Sequence, residues 1–99
     1  MVVLLLNVRM GITAHTVISV GTVDSCIVEP RDILRPVILG GGKTFIMLHN
    51  HPSGHLDPSQ CDRNATRKVR ESAELMNLKL VDHIIVSSGP GYYLSLIHI

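Results

Sequence analysis

The sequence has 99 residues, 45% of them hydrophobic, which is enough for one small domain with a core and argues against a disordered chain. Nine lysine and arginine residues against eight acidic residues leave a formal net charge of +1, so the charge gives no support for binding to nucleic acid. The two cysteines, Cys26 and Cys61, make no disulfide framework and favour a reducing, cytoplasmic setting, and the apolar start of the chain is too short to span a membrane.

Two apolar runs near the start of the sequence predict a pair of strands. Residues 2–8 form a β-rich run, residues 9–11 suit a turn, and residues 17–20 resume strand character. We expect the two runs to pair antiparallel. A turn at residues 21–25 and a short extended segment at residues 26–28 are predicted to follow.

The first helix is predicted to begin at Pro30, because proline suits the first helical position and Asp32 complements the helix dipole. The apolar residues that follow are at helical spacing: Ile33, Leu34, Val37 and Ile38. Pro36 lies inside this segment, where a proline removes a backbone hydrogen bond. We therefore expect this to be the locally weakest element, ended by the glycines at 40–42.

Residues 44–48 are a continuous apolar run, which predicts a central strand buried on both faces. His49 and His51 follow at its carboxyl end. Open α/β sheets commonly place functional sites at this end of their strands.

The clearest predicted helix covers residues 59–76. Ser59 is its candidate N-cap, and Asp62 stands three residues later, as in a capping box. The buried stripe of this helix is predicted to comprise Ala65, Val69, Ala73 and Met76. Asp62 lies three residues before Ala65, so we expect its carboxylate on the buried side.

The last part of the sequence predicts a strand at residues 78–86, a turn at 88–91 and a final strand at 92–96. His83, inside the first of these strands, is interpreted as a hydrogen-bonded structural histidine, with a ligand role as the alternative. About five strands and two helices predict an α/β domain with a mixed sheet.

The pattern around His49 and His51 predicts a zinc site. Histidines at i and i+2 of an extended segment share one side of it, and the Pro/Gly loop that follows leads into the helix that carries Asp62. Two imidazoles and one carboxylate are a protein-supplied ligand set for zinc that leaves the fourth position to water. A His-x-His pair alone is also typical of surface or core histidines. The preceding strand, the turn residues and Asp62 favour the metal site.

Several motifs together resemble the RadC-like branch of the JAMM (JAB/MPN) metalloprotease family. The resemblance covers about residues 4–93 and rests on five segments: His49-Asn50-His51-Pro52-Ser53-Gly54, Pro58-Ser59-x-x-Asp62, Leu80 to Val86, Gly21-Thr22-Val23 and Glu29-Pro30-Arg31-Asp32. It implies a curved mixed β-sheet flanked by helices, related to the cytidine-deaminase-like architecture. It also implies Zn²⁺ held by His49, His51 and Asp62, with Ser59 contacting the active-site water or the developing oxyanion.

The resemblance implies hydrolysis of peptide or isopeptide bonds, but one catalytic residue differs. The family's general base is a glutamate five residues before the glycine of the Gly-Thr segment, and here that position is Thr16. A threonine hydroxyl does not ionise near neutral pH, and strand alternation places His15 on the opposite face. General acid–base catalysis is typically worth about 10²–10⁴-fold. We therefore expect weak hydrolysis, with His15 and Glu29 as the candidate substitutes.

The ends of the sequence also differ from the family's pattern. We expect residues 1–99 to form a single RadC-like JAB/MPN domain without the N-terminal helical region that RadC-like proteins usually carry. Residues 94–99 are interpreted as a foreign or truncated tail, as in a partial open reading frame.

Three functions remain open at this point. The first is a zinc-dependent hydrolase acting on a peptide or isopeptide substrate. The second is a metal-binding or interaction module without the base. The third is a DNA-repair accessory protein, which rests on the naming of the RadC family. No membrane partner is predicted, and the sequence does not indicate the substrate or the oligomeric state.

Overall fold

A computed structural model of the protein describes residues 1–18, 29–51, 60–87 and 93–95, with the backbone alone at 50, 51, 87 and 93–95. These residues form five strands and two helices. In chain order the elements are β1 (Val2–Leu6), β2 (Ile12–Val17), α1 (Pro30–Leu39), β3 (Thr44–His51), α2 (Gln60–Leu75), β4 (Lys79–Ser87) and β5 (Tyr93–Ser95).

The strands form one mixed sheet in the order β2-β1-β3-β4-β5. Strands β3 and β4 are parallel, and the other neighbouring pairs are antiparallel. Parallel neighbours need a crossover connection, which α2 provides between β3 and β4. The prediction of an α/β domain with a mixed sheet flanked by helices is confirmed.

The core lies between one face of the sheet and both helices. Alternate residues of β1 and β3 point into it, and α1, α2 and the residues around the start of β4 contribute the rest: Val3, Leu5, Phe45, Met47, Ile33, Leu34, Val37, Val69, Ala73, Leu78 and Leu80. The residues between them in β3, such as Ile46 and Leu48, are only half-buried. The expectation that this strand is buried on both faces is therefore wrong, since both helices pack against the same face.

The hairpin between β1 and β2 is tighter than the sequence predicts. The side-chain oxygen of Asn7 accepts hydrogen bonds from the backbone N–H groups of Arg9 and Gly11, both at 2.9 Å. Met10 takes a left-handed backbone conformation with φ 64°. Because the turn closes at Gly11, β2 runs over Ile12–Val17 and the predicted strand at 17–20 begins too late. The antiparallel pairing with β1 is confirmed.

Helix α1 continues through Pro36 and ends at three glycines, as predicted. Gly41 has φ 68°, the left-handed conformation that glycine adopts without strain. The N–H of Gly42 donates to the carbonyl of Val37 at 3.0 Å, and that of Gly41 donates to Ile38 at 3.1 Å. This is the Schellman arrangement, which satisfies carbonyls that the helix end leaves without partners.

Helix α2 buries Ala65, Val69 and Ala73 as predicted, but Met76 is 56% exposed. The helix ends at Leu75, and Asn77 takes φ 59° while the N–H of Leu78 donates to Ala73 at 2.8 Å. The chain therefore leaves the helix before Met76 can join the buried stripe.

The structure corrects the expectation of a reduced thiol at Cys61, which is disulfide-bonded. Cys26 lies outside the described residues. Spacing along a chain does not reveal which cysteines come close in space, so this bond could not be predicted from the amino-acid sequence. Among the helices described, none is long and apolar enough to cross a membrane.

Candidate metal centre

The carboxyl end of β3 places His49 against α2. Phe45, Met47 and His49 alternate along the strand and are all buried, so they share the core face of the sheet. His49 is only 3% exposed. The strand extends to His51, whose backbone pairs with Ser87 of β4, and the side chain of His51 lies outside the described part of the structure.

The first turn of α2 brings Asp62 to His49. Asp62 is fully buried, as its helical spacing from Ala65 predicts. Its Oδ1 atom lies 3.3 Å from Nδ1 of His49. A carboxylate removed from water is stable only when charged or hydrogen-bonding groups replace its hydration, and the imidazole is one such group.

Two further buried residues, Thr66 and His83, adjoin this pair. The hydroxyl of Thr66 donates to the backbone carbonyl of Asp62 at 2.8 Å and lies 2.6 Å from Nδ1 of His83. The rings of His83 and His49 are stacked, with centroids 6.0 Å apart and planes 23° from parallel. The interpretation of His83 as a hydrogen-bonded histidine is therefore confirmed.

The distance between His49 and Asp62 fits two ligands of one zinc ion. Zinc–ligand bonds of about 2.0–2.2 Å in tetrahedral geometry place donor atoms roughly 3–4 Å apart. The 3.3 Å between Nδ1 and Oδ1 lies in this range. Within the described residues no group of three or more His, Cys, Asp or Glu residues could hold a metal ion. The third ligand of the predicted set is His51, whose side chain lies outside the described part of the structure.

The predicted roles of Ser59 fall outside the described residues, as does the loop at 52–58. Its interpretation as N-cap and as a site residue stays a prediction. Helix α2 is described from Gln60, whose side chain donates a hydrogen bond to Asn64 at 3.1 Å.

The predicted general-base position lies on the core face of the sheet. Thr16 pairs with Val3, which pairs in turn with Met47, two residues before His49. Thr16 is half-buried, whereas His15 pairs with Leu4 and is exposed. Two strand spacings separate β2 from β3, about 10 Å. Glu29, the other candidate base, is exposed at the N-cap of α1.

The sequence analysis missed Thr66. A signal was available, because Thr66 lies four residues after Asp62 and therefore on the same face of α2. A threonine is not itself a typical zinc ligand, so its hydroxyl drew no attention beside the histidines and the carboxylate.

Comparison with known proteins assigns the family. A family model of the RadC-like JAB domain matches residues 1–98. The chain belongs to this family. The resemblance to RadC-like proteins is thereby confirmed, and the two-layer α/β fold is compatible with a JAB/MPN domain.

Curated relatives named UPF0758 protein are similar to this RadC-like chain. The protein of Rubrobacter xylanophilus is 39% identical over 92 residues, which cover 93% of the chain and 40% of the relative. The protein of Staphylococcus carnosus is 39% identical over 95 residues, 96% of the chain and 41% of the relative. The protein of Thermotoga maritima is 36% identical over 91 residues, 92% of the chain and 40% of the relative. The chain thus spans about two fifths of the length of these relatives.

Proposed function

We propose that this RadC-like domain binds zinc through His49, His51 and Asp62 and hydrolyses peptide or isopeptide bonds. The observation that supports the metal site best is the buried contact of 3.3 Å between His49 and Asp62. Strand alternation predicts that His51 shares the face of His49, which would complete a three-ligand set. When bound, zinc supplies Lewis-acid activation of water and of the scissile carbonyl.

The proposed roles of the protein's own residues follow from their positions in the fold. His49 and Asp62 present their donor atoms from β3 and α2, so metal binding would also join the strand end to the helix start. Ser59, next to the first residue of α2 described, is proposed to donate a hydrogen bond from its hydroxyl to the active-site water or to the developing oxyanion. We propose a peptide or isopeptide substrate, without a membrane partner. The cytoplasmic setting stays a proposal, and the disulfide bond of Cys61 does not favour it.

A second candidate function, a metal-binding module with little or no hydrolysis, is favoured by Thr16. This position is half-buried on the core face, where a carboxylate could be directed toward the strand that carries His49. A threonine hydroxyl cannot take a proton from water near neutral pH, so the proton transfer that a glutamate provides would be missing. A DNA-repair role remains the third candidate, and the net charge of +1 does not favour it.

The experiment that tests the hydrolase restores the missing carboxylate. Purified, zinc-loaded wild type and Thr16→Glu are compared on a fluorogenic peptide and on a lysine isopeptide substrate. We expect weak or absent turnover in the wild type and an increase of up to about 10²–10⁴-fold in Thr16→Glu. His15→Glu is the matched control, because it adds the same carboxylate on the opposite, exposed face of β2 and should leave turnover unchanged.

The outcomes separate the two candidates. Increased turnover in Thr16→Glu alone supports a hydrolase fold whose base is missing. No turnover in any of the three proteins, with zinc retained, supports the metal-binding module. Robust wild-type turnover that Thr16→Glu does not raise would mean that the base lies elsewhere, and Glu29→Gln would then be the next variant to assay.

A further inference from the structure

His83 occupies an unusual position for a polar side chain. It is fully buried in the middle of β4, where it pairs with Met47 of β3. Burying a polar ring costs free energy unless its nitrogen atoms are engaged in hydrogen bonds. A leucine or valine at this position would fill the core without that cost, so the histidine calls for an explanation beyond packing.

The hydrogen bonds of Thr66 define how His83 reaches α2. A hydroxyl has one hydrogen, and Thr66 donates it to the carbonyl oxygen of Asp62 at 2.8 Å. Its oxygen is then the acceptor for Nδ1–H of His83 at 2.6 Å. This bond fixes the tautomer and the ring orientation of His83. It also ties β4 to the turn of helix that carries Asp62.

The ring of His83 also contacts His49, the residue that pairs with Asp62. It stacks on His49 with the centroids 6.0 Å apart. The second side-chain torsion of a histidine is intrinsically broad, so a buried ring needs neighbours to hold its plane. His83 therefore touches His49 directly and reaches Asp62 through Thr66.

We propose that His83 is a positioning residue, which holds the donor atoms of His49 and Asp62 in the geometry that zinc requires. The proposal deepens the proposed function and rests on it. In this proposal, Thr66 connects His83 to α2. Residues that orient metal ligands from behind typically change metal affinity by about 10–100-fold when they are replaced.

The experiment separates the two contacts of His83. His83→Phe keeps a stacked ring and removes the hydrogen bond to Thr66. His83→Asn places an amide donor near the position of Nδ1 and removes the ring. Thr66→Val removes the hydroxyl at nearly constant volume, and Thr66→Ser restores it. Val37→Ala is the control for general loss of stability, because Val37 is fully buried in α1 and contributes to the core without being part of the site.

Zinc affinity is measured by chelator competition, the ligand field by the absorption spectrum of the cobalt(II) form, and stability by thermal unfolding of the metal-free protein. We expect His83→Phe and Thr66→Val to lose about 10–100-fold in zinc affinity and to alter the cobalt spectrum. Thr66→Ser should recover most of the affinity. Val37→Ala should lower the melting temperature and keep both metal readouts.

The positioning role would be overturned if His83→Phe and Thr66→Val bound zinc as tightly as Val37→Ala does. A wild type that takes up no zinc would refute the proposed function and would leave the positioning role to a second measurement. In that case the ring nitrogen chemical shifts of His49 decide the question, measured by NMR in the metal-free wild type and in Thr66→Val, which leaves both rings in place and removes the hydrogen bond to His83. Unchanged shifts would refute the positioning role, and changed shifts would support it without a metal.

Discussion

At the residue scale, His49 and Asp62 form a contact that replaces hydration lost by both groups. Each is almost inaccessible to solvent, and 3.3 Å separates Nδ1 of His49 from Oδ1 of Asp62. An imidazole and a carboxylate can hold each other in the metal-free state and bind a metal in its presence. The same geometry would therefore serve the metal-free domain and the proposed zinc-bound one.

Asp62→Asn should separate metal binding from folding. The amide keeps the volume of the carboxylate and can still hydrogen-bond to an imidazole, so we expect the free energy of unfolding of the metal-free protein to change by less than about 2 kcal/mol. Zinc affinity should fall sharply, because an amide is a poor zinc ligand. Asp32→Asn, at an exposed position in the first turn of α1, is the control and should keep zinc. Wild-type zinc affinity in Asp62→Asn would show that Asp62 is not a ligand.

The residues that meet in the site were predictable only in part. Strand alternation placed His49 on the core face, and helical spacing placed Asp62 on the buried side of α2. The hydrogen bond between Thr66 and His83 was not predictable, because it joins positions 17 residues apart on two elements. Such contacts depend on how α2 packs on β4, which periodicity alone does not specify.

At the element scale, α1 contains a local conflict. Pro36 has no N–H to donate to the preceding turn, yet the helix runs from Pro30 to Leu39 without ending there. Packing of Ile33, Leu34 and Val37 in the core offsets the lost bond. The conflict is visible in the amino-acid sequence, but only the packing in the structure explains why the helix persists.

Pro36→Ala should stabilise the domain. The alanine restores a helical hydrogen bond and removes the clash of the proline ring, so we expect the free energy of unfolding to rise by about 1–3 kcal/mol. Pro30→Ala is the matched control at the start of the same helix, where proline carries no such penalty, and it should give no gain. Chemical denaturation of both variants measures the difference. Equal effects would mean that Pro36 is not strained.

Met10→Gly should stabilise the hairpin between β1 and β2. Met10 has φ 64°, which is costly for a residue with a side chain and natural for glycine. We expect a gain of about 0.5–1 kcal/mol in the free energy of unfolding. Arg9→Gly, one position earlier and without positive φ, should instead lose stability, because glycine adds entropy to the unfolded chain. A loss in Met10→Gly would contradict this account of the turn.

At the scale of the whole molecule, the apolar runs predicted the α/β class, while the sheet order needed the structure. Strand β1 lies between β2 and β3, and the pairing of β1 with β3 joins residues 38 to 46 positions apart. Local patterns predict which segments are extended, but long-range pairing depends on the register that buries one face of every strand together.

The zinc content of the purified domain is the most direct test of the proposed metal site. The wild type and three variants are saturated with zinc and passed through a desalting column, and the metal that remains bound is measured by mass spectrometry. The variants are His49→Gln, His51→Gln and, as a control at an exposed position, His15→Gln. We expect about one zinc ion per chain in the wild type and in His15→Gln, because two imidazoles and a carboxylate complete the protein's ligand set. His49→Gln and His51→Gln should each be nearly free of zinc. A zinc-free wild type, or equal zinc in all four proteins, would contradict the account.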